Sequence, residues 1–201
     1  MNTTQLPVDI ISRQMIQPPR LDVYYPELAG LVDSHIQRRL NERVRKQVTT
    51  MIRKQTYNEQ TTITGGFEIK NNQREVISLT NSHYSYSGGA HGITIQRSLT
   101  MNVRDGRIYT LRDLFKPNVN YQERLNELIS KQIEERNLPI LNEFQGITAN
   151  QYFYIADKAL VLYFQLYELV PYAWGFPYFV ISLFDIQDLL LEDGALGRMS
   201  Y

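Results

Sequence analysis

The sequence predicts an α+β domain, a largely antiparallel sheet with two long amphipathic helices packed on it. Two observations carry that expectation. About eight short β-rich segments are punctuated by Gly, Pro, Asn and Asp, and two stretches place apolar residues at three- and four-residue spacing. At 201 residues one core is expected, with 140–150 the place where a subdivision would fall.

Residues 7–16 and 20–25 read as strands, parted by Pro18 and Pro19. From Pro26 and Glu27 a helical stripe opens through Leu28, Leu31, Val32, Ile36, Leu40, Val44, Val48 and Ile52. Gly30 weakens its first turn, so a start one turn later fits equally. Residues 61–70 read as a strand with a bulge or bend at Gly65-Gly66. Residues 74–86 and 92–104 flank a glycine-rich loop. The second of them ends in Asp105-Gly106, a two-residue hairpin signal, with Arg107, Ile108 and Tyr109 starting the return strand.

Thr110 and Asp113 carry capping-box spacing before a short turn, and Asn120 and Glu123 repeat it before a second helix at 120–137. Tyr121, Leu125, Leu128, Ile129 and Ile133 form its stripe, and Pro139 is expected to stop it. Residues 151–156 and 159–164 are apolar at nearly every position and joined by Asp157-Lys158, the pattern of a hairpin covered on both faces. An aromatic connection at 165–177, a strand at 178–183 and a short amphipathic helix near 185–191 complete the order.

Hydrophobic residues make up 43% and charged residues 21%, so an ordered globular chain is expected. Twenty-one basic side chains balance 21 acidic ones, which leaves no global electropositive field for nucleic acid. Without cysteine there is no disulfide, thiolate metal site or cysteine nucleophile. No run reaches the length of a membrane span. The first residues lack a charged start followed by an apolar run, so no signal peptide is visible; a cytoplasmic chain and a trimmed leader both fit.

Catalytic signatures are missing: no Gly-x-Ser-x-Gly elbow, P-loop, His-Glu-x-x-His or dinucleotide loop. With three histidines, His35, His83 and His91, a multi-histidine metal site would need most of them to converge, and neither a metal nor a cofactor is expected. His35 reads as a packed or surface residue of the first helix.

Two segments stand out as candidate ligand-binding loops. In the first, Tyr86, Gly88, Gly89 and His91 lie where glycines free the backbone N–H groups, so the loop could cradle an anion beside a proton donor, or simply connect two strands. In the second, Pro171, Tyr172 and Trp174 stand on a stiff aromatic connection suited to a sugar, a peptide or a protein surface, or to capping the open end of the core. The two are expected to meet as loops of a shared sheet. A third feature is charge: the first helix carries Arg38, Arg39, Arg43, Arg45, Lys46, Arg53 and Lys54 against Glu42, and the second carries Glu123, Glu127, Glu134 and Glu135. These are solvated faces, or a basic face for an anionic wall polymer or acidic partner.

Tyr86 to Gly92, followed by Asp105 to Phe115, resembles a bacterial domain of unknown function. That domain forms the extracytoplasmic part of RsiV-type anti-sigma factors and also accompanies PdaC-type peptidoglycan deacetylases. Phe153-Tyr154-Ile155, Leu160 to Phe164 and Tyr167 to Gly175 are similar to the family's second signature, and the resemblance runs from about residue 7 to 190. It implies an α+β fold at the cell envelope and a lysozyme-like protein or a wall glycan as partner. The expected function is a non-catalytic binding or sensing domain. Two others compete: a wall-polymer enzyme using His91 with Asp105 or Glu168, and a self-association domain built on residues 151–164.

Overall fold

Strand-forming segments with alternating burial dominate the computed structural model, which describes residues 8–55 and 60–200. Pro7, the first residue of the first expected strand, lies outside them. Two units divide the chain, Met1–Ile108 and Tyr109–Tyr201. The division falls just after the Asp105-Gly106 turn, whereas the sequence offered 140–150.

In the first unit β1 (Asp9–Gln17), β2 (Leu21–Ala29), β3 (Thr62–Gln73), β4 (Val76–Tyr86) and β5 (Ile93–Asn102) form one sheet in sequence order. Pairing is antiparallel except for β2 on β3, where only Leu21–Val23 runs parallel to Ile63–Gly65. The long helix α1 (Ser34–Lys54) makes that parallel crossover possible, because it returns the chain to the same end of the sheet.

The stripe on α1 is buried as expected: Leu40 and Val44 pack with Leu28, Ile77, Leu79, Leu99 and Met101, while Val48 and Ile52 pack with Leu21, Val23 and Ile63. Its start differs. Pro26 to Ala29 extend β2, where Pro26 and Leu28 are buried at period two, and Asp33 caps the helix by accepting from the N–H groups of His35 and Ile36. Gly30, at φ +76°, breaks the chain between the two. Leu28 therefore belongs to the strand period, which the helical spacing mimicked.

Two turns also depart from expectation. The irregularity in β3 falls between Ile69 and Asn71, not at Gly65-Gly66. After β5 the turn is wider than two residues: Asn102 Oδ1 accepts from the N–H groups of Arg104 and Asp105, and the return is a single bridge between Met101 and Ile108. An Asn side chain that mimics a backbone turn sets this geometry.

The second unit opens with a 3-10 turn at Leu111–Leu114, where Asp113 accepts from the Thr110 N–H and hydroxyl. Helix α2 (Tyr121–Glu135) buries Tyr121, Leu125, Ile129 and Ile133. It ends before Pro139 can act: Asn137 turns left-handed, at φ +47°, and the Leu138 N–H reaches the Ile133 carbonyl.

Strands β6 (Tyr152–Ala156), β7 (Ala159–Tyr163) and β8 (Tyr178–Ser182) form an antiparallel sheet with the hairpin turn at Asp157-Lys158. The hairpin is buried on both faces, as its continuous apolar run implied. On β8 the carbonyls of Tyr178 and Val180 accept from Arg136, the C-cap of α2, and from Gln132 within it, which blunts that edge. The short helix expected near 185–191 is a 3-10 segment, Leu183–Leu189.

The fold class is thus the α+β one predicted, with one long helix in each unit. The single sheet is replaced by two, of five and three strands. Among the described residues no helix is long and apolar enough to cross a membrane.

Candidate functional site

The first candidate loop joins β4 to β5. Gly88 and Gly89 take φ near +96° and +98°, with open space where a Cβ would point, so the backbone conformation alone requires glycine there. Gly92 is different. A Cβ there would lie 2.2 Å from the Ser85 carbonyl oxygen and 2.5 Å from the Tyr84 ring.

The loop's polar tips turn back on its own main chain. The Tyr86 hydroxyl donates to the Gly89 carbonyl at 2.8 Å, the Gly92 N–H donates to the Tyr84 hydroxyl at 3.0 Å, and His91 Nδ1 lies 2.9 Å from the Gly92 carbonyl oxygen. The residues from Ser87 to His91 are exposed. This is a braced hairpin loop on the five-stranded sheet.

The second candidate loop, between β7 and β8, belongs to the three-stranded sheet. The two are therefore not loops of a shared sheet; the break in strand pairing after β5 separates them. Leu169 and Val170 anchor this loop in the core, and Phe176 packs on Tyr178 with ring centroids 6.4 Å apart. Local bonds stiffen the rest. Gln165 N–H donates to Glu168 Oε2 at 2.7 Å, Trp174 N–H to the Pro171 carbonyl at 3.0 Å, and Gly175 N–H to the Tyr172 carbonyl at 3.0 Å.

On that rigid frame Trp174 stays 55% exposed and Tyr167 50% exposed. The Tyr167 and Tyr172 rings pair at 5.4 Å and 30°. Tyr167 holds φ +65°, a left-handed conformation that costs a bulky side chain energy and concentrates at functional sites. Burying these rings would remove apolar area from water, yet the loop holds them out. Trp174 does not cap the core.

The other groups named from sequence are engaged locally or set apart. Asp105 Oδ1 accepts from the Arg107 N–H. His35 is an exposed helix residue with its Nδ1 2.9 Å from Arg38. Among the described residues no three of His, Cys, Asp and Glu come together as metal ligands.

Sequence reasoning missed His83. It faces α1 from β4, fully buried, and the space for its ring exists because its cross-strand partner is Gly65, where a Cβ would lie 2.6 Å from the ring. Neither ring nitrogen has a hydrogen-bond partner among the described residues. Burial alone pushes its pKa down to about 4. Gln55 donates to the His83 carbonyl and Asn81 to Gln47, so a polar layer continues the Ile77–Leu79 face of the strand. The Gly-Gly pair in β3 was the available signal, since a glycine inside a strand marks a close approach.

Taken together, the chain is a two-sheet α+β protein with one braced loop and one loop that displays aromatic rings. Comparisons with known proteins divide in the same place. Residues 16–94, in the first unit, match the family model for the deacetylase PdaC. Residues 112–183, in the second, match the model of a protein family of unknown function, DUF3298.

Two solved structures share the fold. A DUF3298 family member from Bacteroides fragilis is 16% identical with a TM-score of 0.70, covering 96% of this chain and 97% of that one. A DUF3298 family protein from Pseudomonas aeruginosa is 13% identical with a TM-score of 0.72, covering 94% and 96%. No curated protein matches the chain.

Proposed function

We propose that this chain is a non-catalytic binding module of the cell envelope, and that the loop between β7 and β8 is its ligand platform. The observation that carries the reading is the exposure of Trp174 on a loop that is otherwise anchored and hydrogen-bonded. A rigid aromatic ring loses little conformational freedom when a ligand covers it, so Trp and Tyr dominate binding hot spots.

The faces of Trp174, Tyr167 and Tyr172 suit two partners, a cell-wall glycan stacking its pyranose faces or a lysozyme-like protein docking an apolar rim. The likeness to PdaC-type and DUF3298 segments supports the envelope setting. An RsiV-type sensing role is the finer version of the same reading. His91, Tyr86, Gly88 and Gly89 belong to the β4–β5 loop of the first unit and are not part of this proposed platform.

A wall-polymer hydrolase built on His91 gains no support. The carboxylates proposed to pair with it each accept a backbone N–H within their own turn, Asp105 from Arg107 and Glu168 from Gln165. Self-association through the hairpin at 151–164 gains none either, because Tyr154 and Tyr163 are buried.

Isothermal calorimetry with lysozyme and, separately, with soluble muropeptides tests the proposal. Heat with one of them that disappears in Trp174→Ala is the expected result. Silence with both at millimolar ligand would overturn it.

A further inference from the structure

A second surface lies in the first unit, on the exposed flank of α1. Arg39, Arg43 and Lys46 occur at i, i+4 and i+7, one helical face, and each lies about one turn (about 5 Å) from the next. With Glu42, Gly106, Arg107 and Ile108 they line a cleft of about 360 Å³.

The cleft is shaped by the turn after β5. Arg39 donates to the carbonyl oxygens of Asp105 and Gly106, and its guanidinium packs where a Cβ on Gly106 would stand 2.6 Å away. One arginine is thereby fixed in place, with the helix on one side and the turn on the other. Arg43 and Lys46 have no ion-pair partner among the described residues. Glu42 supplies one negative charge against four positive ones.

We infer that this cleft binds a linear polymer of phosphodiester-linked polyol units. Arginine forks and a lysine ammonium match phosphate oxygens. The Ile108 side chain and the aliphatic stems of the arginines give the floor an apolar character that suits the carbon backbone between phosphates. Cations repeating each turn fit charges that repeat along a chain. A neutral glycan gains nothing from such a row, so this surface is separate from the aromatic loop and does not depend on it.

The test is calorimetry of the full chain with a short poly(glycerol phosphate), alongside poly-L-glutamate and phosphatidylglycerol vesicles. Binding of the glycerol phosphate polymer, weakening with salt, is expected. Arg43→Gln with Lys46→Gln should weaken it roughly tenfold, the scale two surface charge contacts reach together. Arg53→Gln with Lys54→Gln removes the same charge elsewhere on α1 and should leave binding unchanged. Equal loss in both double variants, tighter binding of poly-L-glutamate or of vesicles, or no binding of the polymer would each overturn the proposal. All four side chains are exposed, so thermal melts should show both variants folded.

Discussion

The loops after β4 and after β7 look alike in sequence, each combining glycine with tyrosine, and behave differently in the fold. The first spends its polar tips on its own backbone, through Tyr86 to Gly89, Tyr84 to Gly92, and His91 against the Gly92 carbonyl. The second uses backbone bonds to hold Trp174 and Tyr167 outward. The lesson is that glycine and aromatic content marks a loop of unusual geometry without saying which side of the chain the rings serve. What separates the two is where the aromatic side chains go: Tyr86 and Tyr84 bond the first loop's own main chain, whereas Trp174 and Tyr167 of the second stand half in solvent.

Acid should separate the two units most strongly. The folded first unit holds His83 neutral down to about pH 4, whereas the unfolded chain takes up a proton near pH 6.5. Between those values the unfolded state binds more protons, so stability is full above the upper value and falls as pH drops toward the lower. The loss is on the order of 3 kcal/mol. Hydrogen exchange of β3–β5 amides against pH checks this, and amides of β6–β8 should not follow the same midpoint. A His83→Leu variant should flatten the profile.

Gly92→Ala comes next, with an expected cost of about 2 kcal/mol in a denaturant melt, since the new Cβ meets both a carbonyl oxygen and the Tyr84 ring. Tyr84→Phe, which removes the acceptor for the Gly92 N–H, should cost about 1 kcal/mol. At the other loop Trp174→Ala should shift stability by less than about 0.5 kcal/mol, because the ring is mostly in solvent. Losses of similar size at the two loops would erase the contrast between a braced loop and a displayed one.

Much of the fold was legible because periodicity reports burial directly. The stripes Leu40–Val44–Val48 and Tyr121–Leu125–Ile129–Ile133 are the buried faces of the two helices. The continuous apolar run at 151–164 is a hairpin covered on both sides. Leu28 was misplaced because spacing by four fits a strand's period of two as well as a helical turn.

Sheet membership was not legible at all, since nothing local says that pairing stops after β5. His83 escaped notice for a related reason. Its burial depends on Gly65, which lies eighteen positions away in sequence and opposite it only through strand register. For the binding loop, the sequence named Pro171, Tyr172 and Trp174 but not Tyr167, whose role follows from a left-handed backbone and a ring partner five residues on.

Because Trp174 is the sole tryptophan, intrinsic fluorescence reads the central claim directly. When the chain is titrated with soluble muropeptides directly, and with lysozyme as the difference from a Trp174→Phe chain (lysozyme's own tryptophans also emit), the Trp174 emission should show a saturable blue shift with the true ligand as the ring leaves water. Binding seen by calorimetry while the emission stays unchanged would place the ligand elsewhere and contradict it.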